Sequence, residues 1–287
     1  MILVMDVGGT KIKYGLAGDD GTLLPDTVRQ ADSRADGSAE EVFSALRGII
    51  RAVQEPYTPE RACVSMPGPF DYVRGVSHMR HKFACIEGVS LFPVFQEAGL
   101  KAAFVHDSTA FMLGERDSEN MRCAETGCCV MLGTGLGYAM IRKGRVLEQT
   151  DHRPAFTLWN APYLDGTCED YVSTRAIQKA YGQALPVKTI ADAARSGDGK
   201  AADAFLRVGE HLGAILGRVR ERFHPEVCAL GGQISAAADL MDIRSPIPLY
   251  PVSSPALTAL RGAAAYAACG RAETVEEVSA DFPCAFI

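Results

Sequence analysis

The sequence predicts an α/β chain, and three observations carry that prediction. Strand-like and helix-like segments alternate through the first half. The second half opens on the same strand, glycine turn, strand unit that opens the first. Glycine-rich turns, rather than linkers or low-complexity tracts, punctuate the apolar segments.

Residues 2–7 are apolar and β-prone, Gly8 and Gly9 permit a tight turn, and residues 11–17 form a second strand. Gly18-Asp19-Asp20-Gly21 is a hairpin turn into a short third strand. Over residues 39–53, apolar side chains at 42, 43, 46, 49, 50 and 53 fall at helical spacing. Residues 61–66 read as a strand stopped by Pro67-Gly68-Pro69, and residues 90–98 as a helix. A strand over 102–106 ends at Asp107, and a helix follows from Ser108 to Glu115. Residues 127–132 form a strand, 133–137 a glycine turn and 138–142 a returning strand, with Lys143-Gly144 closing the next hairpin.

The clearest helix covers 201–222, where Phe205, Val208, Leu212, Ile215 and Val219 make one apolar stripe. Gly209, Gly213 and Gly217 recur every four residues in it. Glycine weakens a helix, so their return is expected to be close approach of a neighbouring element. Val227–Leu230 reads as a buried strand, Gly231-Gly232 as another turn, and residues 257–269 as an alanine-rich helix.

The 287 residues are 47% hydrophobic and 22% charged, enough for one large domain or two lobes. The net charge of −6 shows no basic excess, so nucleic acid is not expected as the main partner. No apolar run approaches the roughly 20 residues that cross a bilayer, so no membrane partner is expected. The start, Met1 to Asp6, lacks the basic and long apolar stretches of a signal peptide, and a cytoplasmic location is expected. Nine cysteines make no CxxC pair, and the adjacent Cys128 and Cys129 suit neither a shared metal nor a mutual disulfide. Cys63, Cys85, Cys228 and Cys269 lie in apolar segments, which predicts buried free thiols.

Three groups of residues suit chemistry. In Asp6-Val7-Gly8-Gly9-Thr10-Lys11, glycines let the backbone approach phosphate oxygens, Thr10 offers a hydroxyl and Lys11 a charge. Asp6, at the strand end, is placed to hold a Mg²⁺ ion through water. Gly133-Thr134-Gly135 opens a second turn of the same type. It matches GxGxxG loosely, but a strand rather than a helix follows, and no GxxxxGK[ST] occurs. A dinucleotide-binding dehydrogenase and a P-loop enzyme are therefore not expected. Asp107 stands at the C-terminal edge of a buried strand, where α/β folds bind ligands. A general base and a helix N-cap are both open readings of it.

Together these motifs resemble the ROK family of bacterial sugar kinases over nearly the whole chain. Asp6–Lys11 and Leu132–Gly137 resemble its two phosphate motifs, and Ser65–Asp71 its Pro-Gly segment beside the sugar, with Pro67 and Gly68. His106-Asp107-Ser108-Thr109 with Glu115 resembles its catalytic stretch, and Cys168–Ser173 the segment carrying a sugar-contacting Glu, here Glu169. Leu230-Gly231-Gly232 resembles its adenosine turn and Gly262-Ala263-Ala264 its closing helix. The resemblance implies an actin-like (ribonuclease H-like) two-lobed ATPase fold. The lobes are expected over 1–110 and 111–287, with the last helix free to pack back on the first. It also implies ATP and Mg²⁺ as cofactors, a sugar or polyol acceptor, Asp107 as the base, and a homodimer.

The departures fall on the acceptor side. Residues 151–168 replace the family's sugar-gripping Glu and His and its zinc-binding cysteines, and only Cys168 remains. No zinc site is expected, and His152 is expected to be an ordinary loop residue. Lys82 and His106 stand where the family has asparagines. An unusual sugar or polyol, an anionic acceptor drawn by Lys82, His106, His81 and Arg80, a catalytically altered ligand-binding sensor, and drifted loops that still accept glucose-like sugars are the alternatives. The first motif begins at Met1, which leaves no room for the helix-turn-helix of the family's repressors, so DNA binding is not expected.

Overall fold

The computed structural model describes residues 1–279. In chain order its elements begin with β1 (Ile2–Val7), β2 (Lys11–Ala17), β3 (Leu23–Asp32), α1 (Ala39–Gln54) and β4 (Arg61–Met66). The short hairpin β5 (Phe70–Asp71) and β6 (Val76–Ser77) precedes α2 (Phe92–Gln96), β7 (Lys101–His106) and α3 (Asp107–Glu115). Next come β8 (Thr126–Leu132), β9 (Leu136–Arg142), β10 (Arg145–Glu148), β11 (Pro162–Tyr163) and β12 (Gly166–Thr167). The helices α4 (Cys168–Tyr171), α5 (Thr174–Tyr181), α6 (Val187–Arg195) and α7 (Gly199–Phe223) follow. The chain continues through β13 (Val227–Gly231), β14 (Leu249–Pro251), α8 (Thr258–Cys269), α9 (Arg271–Thr274) and β15 (Val275–Glu277).

The chain forms two compact units. The first joins Met1–Asp117, Arg145–Pro154 and the described residues from Ala256 onward; the second holds Ser118–Gly144 and Ala155–Pro255.

The first unit is built on a sheet ordered β3-β2-β1-β4-β7. β1 runs antiparallel to β2 and parallel to β4, and β4 runs parallel to β7. The C-terminal ends of β1, β4 and β7 therefore share one edge. α1 begins at a capping box in which Ser38 and Glu41 satisfy each other's backbone amides. Its stripe Val42, Leu46, Ile49, Ile50 and Val53 is buried, and Phe43 is only partly so. α8 lies against α3, β1 and β4. A Cβ on Gly262 of α8 would sit 1.6 Å from the Ala110 carbonyl oxygen of α3. A Cβ on Gly114 of α3 would sit 1.9 Å from the Thr258 carbonyl. These helices touch backbone to backbone, and only glycine permits that. β10 and β15 pair in parallel beside them.

The second unit repeats the opening arrangement. β8 and β9 form an antiparallel hairpin across a glycine turn, β13 runs parallel to β8, and β14 parallel to β13. The long helix α7 is capped by Asp198, which accepts the amides of Lys200 and Ala201. Two of its three spaced glycines mark a close approach, as expected. A Cβ on Gly209 would meet Met241 at 3.0 Å, and one on Gly213 the Arg244 carbonyl at 2.8 Å. The third, Gly217, meets nothing within 4 Å, so the inference from spacing fails there.

Two elements differ from expectation in length. β3 runs through ten residues rather than a few, because its backbone pairs with β2 while most of its side chains stay partly or fully exposed. The helix expected over 90–98 covers only Phe92–Gln96. Cys63, Cys128, Cys129, Cys168 and Cys228 are buried free thiols, whereas Cys269 is exposed and Cys85 only half-buried. Cys284 lies outside the described residues. No helix among the described residues is long and apolar enough to cross a membrane.

Candidate active site

In the first unit, the chemistry-bearing residues gather at the C-terminal edge of β1, β4 and β7. Register sets Asp6 opposite Lys13 on one side and Ser65 on the other. Ser65 donates its hydroxyl to Asp6 Oδ1 at 3.1 Å. Burial pushes the Asp6 carboxyl above its ordinary value, Lys13 pulls it back, and the nearby Asp107 pushes it up again. Lys13 escaped the sequence reading. Its signal was available: it lies as far beyond the glycine turn as Asp6 lies before it.

The first turn is a tight reversal. The Gly8 amide donates to the Lys11 carbonyl at 2.9 Å, which leaves Gly9 and Thr10 at the tip. The Thr10 carbonyl accepts from the Ser33 amide at 3.1 Å. Lys11 is ion-paired with Asp32, its register neighbour on β3, and both side chains are about half exposed. The stem of Lys82 leans on this turn, with its Cδ 3.6 Å from where a Cβ on Gly9 would lie.

Asp107 is the first residue of α3, and its side chain is 32% exposed. The N-cap is His106, not Asp107: its Nδ1 accepts the Ser108 amide at 3.1 Å. The same amide reaches Asp107 Oδ1 at 2.7 Å, and His106 Nδ1 lies 2.9 Å from that oxygen. Burial alone would raise the Asp107 carboxyl. The combined pull of His106, Lys82 and the Ser108 amide holds it below its ordinary value. The carboxylate is therefore ionised at neutral pH. His106 Nε2 lies 3.5 Å from the place a Gly68 Cβ would take, and Tyr72 packs its ring 5.5 Å from the imidazole. Pro67 is buried, and the Tyr72 hydroxyl donates to the Met66 carbonyl at 3.1 Å. Of the other basic residues proposed for an anionic acceptor, Arg80 is bound to Glu87 at 2.6 Å and His81 is exposed.

A second buried group supports α3. Glu148, at the end of β10, is fully buried, and Arg271 donates to its Oε2 at 3.1 Å. Its Oε1 and the Thr109 hydroxyl are buried near each other, and Thr109 favours the ionised carboxylate. Burial pushes the Glu148 carboxyl up to about 7, against the pull of Arg271. The sequence hid this pair, because Glu148 and Arg271 are separated by 123 positions.

In the second unit, the Gly133 amide closes its turn on the Gly135 carbonyl at 3.1 Å, leaving Thr134 exposed at the tip. Gly232 has φ +84°, and a Cβ there would lie 2.2 Å from the Leu132 carbonyl. The Gly231-Gly232 turn is thus seated against the residue that leads into the second glycine turn. Thr174 donates its amide and hydroxyl to the Gly133 carbonyl at 2.9 and 3.1 Å. Glu169 accepts the Leu136 amide at 3.0 Å and Arg175 at 2.8 Å. Among the described residues no group of three or more His, Cys, Asp and Glu is arranged to hold a metal ion. His152 sits in a turn, its amide on the Gln149 carbonyl at 3.0 Å.

The ROK family model matches residues 2–150 and 164–266. A glucokinase of Thermotoga maritima is 26% identical over 268 residues, spanning 84% of each chain. A ROK family glucokinase of Streptomyces griseus, solved with glucose and AMPPNP, superposes with a TM-score of 0.77 at 21% identity, covering 94% of this chain and 99% of its own. A ROK family transcriptional regulator, a homologue of the E. coli MLC protein, reaches 0.76 at 20% identity, covering 93% and 78%. The fold is the actin-like α/β fold of these structures. The chain belongs to the ROK family.

Proposed function

We propose that this protein transfers the γ-phosphoryl group of ATP to a hydroxyl of a monosaccharide or related polyol, with Asp107 as the general base. The observation that carries this reading is Asp107 itself, an ionised carboxylate on the first turn of α3, beside Asp6 at one sheet edge. Family membership and the sugar-kinase relatives support the same reading.

The residues present fit the implied cofactors. Gly9 and Thr10, and likewise Thr134 and Gly135, lie at the tips of short turns whose backbone amides suit phosphate oxygens. Mg²⁺ is bound in such sites by one or two carboxylates together with water and phosphate oxygens, so a single carboxylate suffices. Asp6, steadied by Ser65, would hold it. When bound, Mg²⁺ neutralises charge on the β- and γ-phosphates. Gly231-Gly232 would take the adenosine.

The chain's own residues then position the acceptor. Asp107 accepts a hydrogen bond from the acceptor hydroxyl and takes its proton as the oxygen bonds to phosphorus. A carboxyl held below its ordinary value is a weak base. That is sufficient where the transition state is loose and the proton leaves late. Pro67, Gly68, Lys82 and His106 would line the acceptor, with His106 fixed by Ser108 and Tyr72.

The test is a coupled ADP-release screen over hexoses, amino sugars and polyols, with Asp107→Asn as control. Turnover with at least one acceptor, lost in the control, is expected. Binding of AMPPNP without turnover on any acceptor would replace the kinase by the sensor reading.

A further inference from the structure

We infer that Glu169, locked by Arg175, is a positioning residue for the nucleotide phosphates, whatever else it touches; this rests on the proposed kinase reading. The second glycine turn is held at both shoulders. Thr174, at the start of α5, binds the Gly133 carbonyl through its amide and its hydroxyl. Glu169, on α4, binds the other shoulder by accepting the Leu136 amide at 3.0 Å. Its other oxygen takes the Arg175 guanidinium at 2.8 Å, so both carboxylate oxygens are engaged within the unit. The Glu169 side chain is only 19% exposed.

Residue 135 and the carboxylate occupy neighbouring space. Gly135 has no positive φ, so its backbone does not demand glycine. A Cβ there would lie 2.6 Å from Glu169 Oε2, so a side chain at 135 would push the carboxylate off the turn. The turn and the carboxylate are fitted to each other at van der Waals range, and a charge-assisted hydrogen bond joins them. Without that acceptor, the Leu136 end of the turn loses its anchor and the tip amides lose their fixed direction. Arg175 contributes by fixing the rotamer of Glu169. Glu169 therefore acts on phosphate through the turn.

The experiment uses the full chain and three variants, Glu169→Ala, Glu169→Gln and Arg175→Met. Amide hydrogen exchange at Leu136 is followed in the unliganded protein. Binding of AMPPNP with Mg²⁺, and of adenosine alone, is followed by calorimetry. In Glu169→Ala, Leu136 exchange is expected to rise, and AMPPNP affinity to fall, about ten-fold or more each. Adenosine affinity should stay within about two-fold, because adenosine carries no phosphate. Glu169→Gln keeps an oxygen for the Leu136 amide and is expected to restore most of both. Arg175→Met should fall between. If Glu169→Ala leaves Leu136 exchange and AMPPNP affinity at wild-type levels and raises only the acceptor KM, the inference is overturned. If the wild type binds no AMPPNP, the kinase reading itself falls, while Leu136 exchange still reports whether Glu169 holds the turn.

Discussion

His106 Nδ1 lies 2.9 Å from Asp107 Oδ1, and the amide of Ser108 reaches both atoms. One imidazole thus stands at the cap of α3 and beside the carboxylate: with Nδ1 bare it accepts the Ser108 amide, and with Nδ1 protonated it draws the carboxyl down. Against the upward push of burial, His106 is the strongest influence drawing the Asp107 carboxyl down. The stability tied to this depressed carboxyl is present at neutral pH and is lost as pH falls through its folded value. His106→Ala should therefore have two separable effects. Loss of the cap should cost about 1 kcal/mol, read as a lower denaturant midpoint at pH 7. The acid limb of the kcat/KM profile should move to higher pH. A limb that stays in place would show that Lys82 and the Ser108 amide suffice.

Asp107→Asn keeps an oxygen for the Ser108 amide and removes the proposed base. Turnover should fall by about two to four orders of magnitude. AMPPNP affinity should remain within about three-fold. A variant that keeps a tenth of wild-type turnover would move the base to another residue.

Glu148 gives a pH dependence of the opposite sign. Its carboxyl is raised from an ordinary 4.5 to about 7, so between these values the folded state holds a proton that the unfolded state has released. Stability should therefore fall as pH rises through that window, by at most about 3 kcal/mol, because Glu148 must ionise while buried. Unfolding midpoints from pH 5 to 8 should decline in the wild type and flatten in Glu148→Gln. An equal decline in both would assign the effect elsewhere.

The glycines differ sharply in what they protect. Gly262→Ala or Gly114→Ala would drive a methyl group into a facing helix backbone, and each should cost at least about 3 kcal/mol. Gly217→Ala meets no atom within 4 Å and should stabilise α7 by up to about 1 kcal/mol. Chemical denaturation of the three variants checks the ordering.

Local chemistry was legible in the sequence wherever neighbours in sequence are neighbours in space. The strand, glycine turn, strand units around residues 9 and 134 were readable because Gly8 and Gly133 close their turns on residues two or three positions away. Asp107 was readable because a strand edge runs directly into a helix. Its cap was not, since a histidine caps through a ring nitrogen and hydroxyl or carboxylate caps are the stronger pattern. β3 looked short because its exposed side chains do not alternate. Glu148 and Arg175 went unnoticed for a different reason. A buried ion pair between β10 and α9 leaves no local pattern, and Arg175 resembles any surface arginine until Glu169 is seen beneath Gly135.

The three-part composition of the first unit fixes the order in which the molecule can be completed during synthesis. Residues 1–117 leave the ribosome first and include the whole five-stranded sheet and the helix that begins at Asp107. The face of that helix bearing Ala110 and Gly114 waits for Gly262 and Thr258, some 150 residues later. At roughly 5–20 residues per second, that is a delay of about seven to thirty seconds. The described residues of the second unit are all made within that interval. A nascent chain halted before residue 258 carries Asp107 on a helix whose covering partner has not yet been made.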